Sequence, residues 1–297
     1  MKTVRDVLSA AVLVLRQQSE TSADPADAVG EVINPSLDAA LLLAKVLGIS
    51  RTALLARGPD PVSDTQYAEY MLLISRRVAG ECVAYILGAR EFYGRTFFVD
   101  RRVLVPRADT EVLVEQALLR LDHFFAGGVA NPLCHDCCAG SGCVGITLAC
   151  ERPGLLLSLS DLSSDALAVA AANGAALMGR DISLTCSDLL SEVSGAYHVI
   201  TANPPYVSSE LSERILAAGS QEPRLALDGG VQGLDLYHRL PAQAWQKLLP
   251  GGWLLVEAGE EQAAAVSGFF ESAGFSDISV YQDLAGHDRV IAGCKHA

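Results

Sequence analysis

The chain has no run of roughly 20 uninterrupted apolar residues, the length a bilayer span requires, and its N-terminus lacks a signal-peptide pattern. A cytoplasmic protein is the expectation. Basic charge is also scarce: 22 Lys and Arg against 35 Asp and Glu leave a net charge of -13. Wrapping bare nucleic acid needs clustered cations along the phosphate track, so no direct nucleic-acid partner is expected. Two arginine pairs, Arg76-Arg77 and Arg101-Arg102, are candidates for a local basic patch, and both read more simply as solvated charged faces. The third lack is a second Cys-x-x-Cys. Cys134-x-x-Cys137, with His135 and Cys138 beside it, has no distant partner pair. Adjacent strand residues point to opposite faces, so these neighbours do not converge as a four-ligand zinc site, and no metal is assigned. The eight cysteines, five of them between Cys134 and Cys150, read as reduced, small buried hydrophobes.

What remains is a chain of 297 residues, half of them apolar, long enough for two domains and a sizeable core. The first part reads as a helical bundle. Thr3 to Gln18 carries Val4, Val7, Leu8, Ala11, Val12 and Leu15 at helical spacing, and a polar segment follows from Ser19 to Gly30. Asn34-Pro35 starts a helix that Gly48 ends; Ser50 caps a short one through Leu55; Ser63 or Asp64 starts another reaching Gly80. From Cys82 the period shortens. Val83 to Leu87 and Glu91 to Val99 hold β-branched and aromatic runs broken by single glycines, the pattern of a hairpin bridging two domains. Asp109 or Thr110 then caps a helix, and strand and helix patterns alternate to the C-terminus. That alternation predicts an α/β fold with a mostly parallel sheet. The boundaries expected are 1–81 for the helical domain, 82–105 for the hairpin linker and 106–297 for the α/β domain.

Two sites stand out in the last part. The apolar strand Tyr197 to Ala202 ends in Asn203-Pro204-Pro205-Tyr206, where two prolines fix φ twice and force the chain out of the sheet in one shape. Ligands of open α/β sheets bind at that end of a strand. An Asn oxygen and the next carbonyl can each accept one N–H of a planar NH2 group, leaving its lone pair out of plane, while Tyr206 packs on the flat face.

The second site is Asp136 to Gly145, a glycine-bearing turn between the strand Asn131 to Cys137 and a helix from Ile146 to Cys150. Glycines there let a ligand approach the backbone beside a helix N-terminus. Asp161 ends the next strand, Leu155 to Ser160, about twenty residues on, where a carboxylate can accept both ribose hydroxyls. Gly140-x-Gly142-x-x-Gly145 also matches the dinucleotide fingerprint, but NAD leaves the Asn-Pro-Pro-Tyr end without a task. A methyl donor built on adenosine uses both sites. Ser187-Asp188-Leu189 falls where adenine would lie, although Asp188 reads equally well as a helix cap.

Asp136 to Cys143 resembles the glycine motif of class I S-adenosylmethionine (SAM)-dependent methyltransferases, and Asn203 to Tyr206 the amino-group motif of N6-adenine and protein glutamine methyltransferases. Four further stretches narrow the resemblance: Glu91 to Gly94, Val105 to Glu111, Glu222 to Gly230 and Asp283 to Val290. Nearly the whole chain is similar to the bacterial release factor glutamine N5-methyltransferases, the PrmC/HemK family. The resemblance implies a Rossmann-like methyltransferase domain joined by a β-hairpin to an N-terminal helical domain that docks the partner. It implies methyl transfer from SAM to the side-chain amide of the glutamine in the Gly-Gly-Gln loop of peptide chain release factors 1 and 2.

By position, Cys138, Ala139, Gly140, Ser141 and Gly142 would line the methionine part of SAM, Asp161 its ribose, and Asp188 and Leu189 its adenine. Asn203, Pro204, Pro205 and Tyr206 would hold the glutamine, with Asn203 also beside SAM and Arg107 on the substrate side. The chain departs from the family pattern at Cys138, usually glycine, at Leu189, usually aromatic, at Gln232, usually acidic, and at Cys82, usually proline. Losing the aromatic costs adenine a stacking partner worth about 1 kcal/mol. The alternatives are glutamine methylation of a ribosomal protein, N6-adenine DNA methylation, which the acidic balance disfavours, and a noncatalytic SAM-binding module.

Overall fold

Local capping chemistry sets the helix boundaries of the N-terminal region. The computed structural model describes residues 2–21 and 34–296, so the expected polar segment lies outside the described residues from residue 22 onward. The chain divides into one unit comprising residues 1–88 and 213–221 and a second comprising 89–212 and 222–297.

In the first unit β1 (Lys2–Thr3) leads into α1 (Val4–Thr21), which buries Val4, Val7, Ala11 and Leu15 along one face. Helix α2 (Pro35–Leu47) starts where the Asn34 side chain accepts the Leu37 N–H at 3.1 Å and ends at Gly48, whose φ of 63° suits glycine. Ser50 caps α3 (Arg51–Ala56), and β2 (Pro61–Val62) pairs antiparallel with β1. Ser63, not Asp64, caps α4 (Asp64–Val78), through a reciprocal capping box with Gln66.

Two expectations fail here. Val83–Leu87 is a short helix, α5, rather than part of a hairpin: Val83 to Ile86 are all buried, and that burial outweighs their β propensity. Cys82 precedes it at φ -67°, the angle a proline would impose. Nor do Arg76 and Arg77 form a solvated charged face. Arg76 pairs with Glu81 at 2.6 Å, and Arg77 is buried against Asp38 at 2.9 Å.

In the second unit β3 (Ala89–Phe92) and β4 (Arg95–Phe98) form the hairpin, turning through Tyr93 and Gly94 with φ of 49° and 70°. Positive φ at both central residues matches the right-handed strand twist, the reason two-residue turns of this type favour glycine. Helix α6 (Glu111–Ala126) follows a single 3-10 turn, Ala108–Thr110. Thr110 occupies the residue before the helix, but its side chain makes no cap.

Next come β5 (Leu133–Cys137), α7 (Cys143–Glu151), β6 (Leu156–Asp161), α8 (Ser164–Met178), β7 (Ser183–Cys186) and β8 (Tyr197–Ala202). They are followed by α9 (Ser209–Ala217), α10 (Arg224–Leu227), α11 (Leu240–Lys247), β9 (Leu248–Glu257), α12 (Ala263–Ser272), β10 (Ser276–Gln282) and β11 (Asp288–Lys295). The sheet order is β10-β11-β9-β8-β5-β6-β7, parallel from β9 to β7 and antiparallel at β10 and β11. The strands bury two faces at once. Val199 and Leu255 belong to one apolar cluster, and their neighbours Ile200 and Leu254 to the other. Cys134 and Cys137 fall in opposite clusters too, and His135 is held between the hydroxyls of Ser158 and Ser160, each at 2.8 Å.

Candidate active site

From β5 the chain winds outward to β6 and β7, then returns to place β8 on the other side of β5. That reversal opens a crevice at the carboxyl ends of the strands, and a cavity of about 390 Å³ sits there. Asp136, Cys138 to Ser141, Asp161, Asp188, Leu189, Asn203, Pro205 and Arg107 line it. Gly142, Pro204 and Tyr206 do not. Gly142 precedes α7 with φ 77°, and a Cβ there would come within 2.7 Å of Ile146 Cδ1. Pro204 is buried, and Tyr206 turns its hydroxyl toward Glu257 at 3.4 Å.

The glycine turn is held by two carboxylates. Asp161 Oδ2 accepts the Gly140 N–H at 2.8 Å and Oδ1 accepts the Ser163 N–H at 2.9 Å. Asp136 accepts the Gly145 N–H at 3.0 Å and the Thr201 hydroxyl at 2.7 Å. Burial raises the Asp161 pKa against the backbone donors of Ser163, Gly140 and Leu162. It pushes Asp136 to about 7, opposed by Thr201 and Gly145.

A carboxyl whose pKa is raised on folding contributes stability that is complete below its unfolded value near 3.8 and is lost as pH rises through about 7. Urea midpoints are therefore expected to fall across that window. Asp136→Asn keeps an acceptor for Gly145 and a partner for Thr201. It should flatten the fall by up to about 1.4 kcal/mol per pH unit, and an unchanged slope would contradict the assignment.

Cys138 has φ 57° and Leu189 φ 54°, both in the left-handed region that a side chain disfavours. At Cys138 the turn needs a conformation that glycine adopts without strain. Cys138→Gly is expected to raise stability by up to about 1 kcal/mol in urea denaturation, the relieved strain partly offset by glycine's unfolded-state entropy.

Two predicted residues are engaged by neighbours. Arg107 donates to both oxygens of Glu222, at 2.8 and 2.7 Å, which ties the Pro106-Arg107 and Glu222-Pro223 stretches together at the rim. Asp188 caps no helix and instead pairs with Arg239 at 2.5 Å.

At the β8 end, Asn203 Nδ2 donates to Thr110 Oγ1 at 3.3 Å, and among the described residues nothing donates to Asn203 Oδ1. The loop after Leu227 packs on the motif's backbone. Gln262 Nε2 donates to the Tyr206 carbonyl at 3.0 Å, and Gly233 sits so close that a Cβ would lie 2.1 Å from the same oxygen. Arg289 lies beside Asp283 at 3.0 Å and Asp109 at 3.8 Å.

Sequence reasoning missed Glu257 and Asn173. Glu257 is an acid ending the apolar run of β9 at a carboxyl end, the same signal that marked Asp161. Asn173 is a lone amide on an apolar helix, and it donates to the Phe98 and Ser141 carbonyls at 3.0 and 2.9 Å, pinning the glycine turn.

A reversed parallel sheet with a glycine turn, an acid ending the second strand and Asn-Pro-Pro-Tyr at the fourth defines a Rossmann-like class I methyltransferase. The hMettl16 catalytic domain shares this fold at TM-score 0.54 and 12% identity, over 79% of this chain and 83% of that one. The PrmC N-terminal domain family matches residues 28–88, and the methyltransferase small domain family matches residues 120–221. The chain is 38% identical to the release factor glutamine methyltransferase of Salmonella typhimurium, covering 88% of this chain and 92% of that one. It is 40% identical to that of Neisseria gonorrhoeae, covering 87% and 93%. The chain belongs to the release factor glutamine methyltransferase family.

Proposed function

We propose that this enzyme transfers a methyl group from SAM to the amide nitrogen of the glutamine in the Gly-Gly-Gln loop of peptide chain release factors 1 and 2, in the cytoplasm. The observation that carries the reading is Asn203, at the cavity wall with its amide nitrogen engaged and its oxygen unpaired among the described residues. SAM fits the donor set: a cavity of about 390 Å³ walled by the turn Cys138 to Ser141, with Asp161 at its edge. Cys138 to Ser141 would hold its methionine part, Asp161 its ribose, and Asp188 and Leu189 its adenine. When bound, it supplies a methyl group activated on a sulfonium.

An amide nitrogen is a poor nucleophile because its lone pair is delocalised into the carbonyl. Asn203 Oδ1 and the Pro204 carbonyl accept its two N–H groups and turn the lone pair toward the methyl, so catalysis comes mostly from orientation. As nitrogen becomes positive, both acceptors bind its hydrogens more strongly, which favours the transition state over the ground state. The proton leaves after transfer, without a general base. Residues 1–81 serve as the docking domain and 82–105 as the linker.

The test is the intact mass of a release factor, and of its variant with alanine for the loop glutamine, after incubation with the protein and SAM. One methyl on the first and none on the second is expected. No gain on either, with SAM bound, would overturn the reading and send the search to ribosomal-protein glutamines.

A further inference from the structure

The amide of Asn203 has two orientations of nearly equal shape, and only the one with oxygen facing the cavity accepts an N–H from a substrate. Something must choose between them. The Asn203 nitrogen points to Thr110 Oγ1 at 3.3 Å, and Thr110 is itself an oddity. It stands immediately before α6, where a threonine hydroxyl ordinarily caps the helix for about 1 kcal/mol, yet its side chain makes no cap and is 2% exposed. A buried hydroxyl that accepts from Asn203 still has a proton to place. The candidate to take that proton is Glu257, which is 1% exposed, receives the Tyr206 hydroxyl on Oε1 at 3.4 Å, and has no hydrogen-bond partner on Oε2 among the described residues; burial raises its pKa to about 7, against the neighbouring Thr110 hydroxyl and the Arg289 charge.

A carboxylate is a far better acceptor than an amide oxygen. Once Glu257 is ionised, Thr110 gives its proton to it and keeps its lone pairs for Asn203. In the flipped amide, Thr110 would have to donate to Asn203 instead and abandon the carboxylate.

We propose that Thr110 and Glu257 are positioning residues that fix the Asn203 amide with its oxygen turned to the acceptor nitrogen. The proposal rests on the acceptor role assigned above to Asn203. Thr110 meets the cavity wall and Glu257 does not, and each is assigned its effect through Asn203. Tyr206 shares the arrangement by donating to the same carboxyl, which accounts for its inward hydroxyl.

The test compares Thr110→Val, Thr110→Ser and Glu257→Gln. Valine keeps the volume and removes the hydroxyl; serine keeps the hydroxyl. Thr110→Val should lower kcat about tenfold with KM for the release factor and SAM affinity within about twofold, and Thr110→Ser should restore kcat to within about threefold of wild type. The Thr110→Val and Glu257→Gln effects should be smaller in combination than their product, as for two members of one chain. Wild-type kcat in Thr110→Val, or equal loss in the serine variant, would overturn the proposal.

A second readout needs no acceptor at all. With 15N-labelled asparagine, the side-chain NH2 signal of Asn203, assigned by its loss in Asn203→Ala, should be protected from solvent exchange in the wild type and in Thr110→Ser, and should lose that protection in Thr110→Val. If the release factor is not methylated but this pattern holds, the acceptor assignment falls and the positioning stands. If methylation proceeds and the pattern is missing, the positioning falls.

Discussion

Asn203→Ala is expected to lower kcat about a thousandfold while leaving SAM affinity within about twofold, the scale seen when one preorganised polar group facing a developing charge is removed. The asymmetry follows from where the side chain is engaged. Its nitrogen is spent on Thr110, and its oxygen has no partner among the described residues, so truncation removes an interaction the folded protein does not use for itself. Stability should change little. The motif's backbone is held independently, by Gln262 on the Tyr206 carbonyl and by Gly229 N–H on the Val207 carbonyl at 2.8 Å. Asn203→Asp is the informative companion: it keeps an oxygen toward the cavity but places a charge against the lone pairs of Thr110 Oγ1. Calorimetric SAM titration beside single-turnover methylation separates the two effects. Turnover near wild type in Asn203→Ala would remove the residue from the reaction, and a large loss of SAM affinity would move it to the cofactor side.

Much of this site was legible because it lies where strands end. Tyr197–Ala202 is an uninterrupted apolar strand with a proline pair after it, and both strand and stop were read directly from the sequence. Asp161 was legible for the same reason, as an acid that terminates an apolar run. Glu257 carries an equal signal but belongs to no contiguous motif, and its neighbours Thr110 and Tyr206 come from distant segments. Only the sheet order brings β8 and β9 together. Val83–Leu87 was misread because five apolar, partly β-branched residues do not distinguish a buried helix turn from a strand; Gly88 in the left-handed conformation closes the helix. Thr110 was placed at its helix start, yet its hydroxyl answers to Asn203 rather than to the helix. A capping signal reports position and is silent on which partner wins the hydroxyl.

Asp161→Ala is expected to weaken SAM binding on the order of a hundredfold, since hydrogen bonds to a charged group are worth about 1.5–3 kcal/mol each. The structure adds a second route to the same loss. Asp161 already accepts from Gly140 and Ser163, so the carboxylate that would hold the ribose also holds the turn on which the methionine part would rest. Removing it frees the Gly140 N–H at the cavity edge and loosens the turn. Asp161→Asn separates the two roles, because an amide can accept only one of these N–H groups and offers its own donors where another acceptor is needed. Burial raises the pKa of this carboxyl, and the ionised form is the one that accepts the ribose hydroxyls. SAM affinity in the wild type should accordingly fall as pH drops toward that raised value, and the fall should vanish in Asp161→Ala. Equal SAM affinity in wild type and Asp161→Ala would leave Asp161 as a structural brace for the glycine turn and send the ribose to another partner at the crevice.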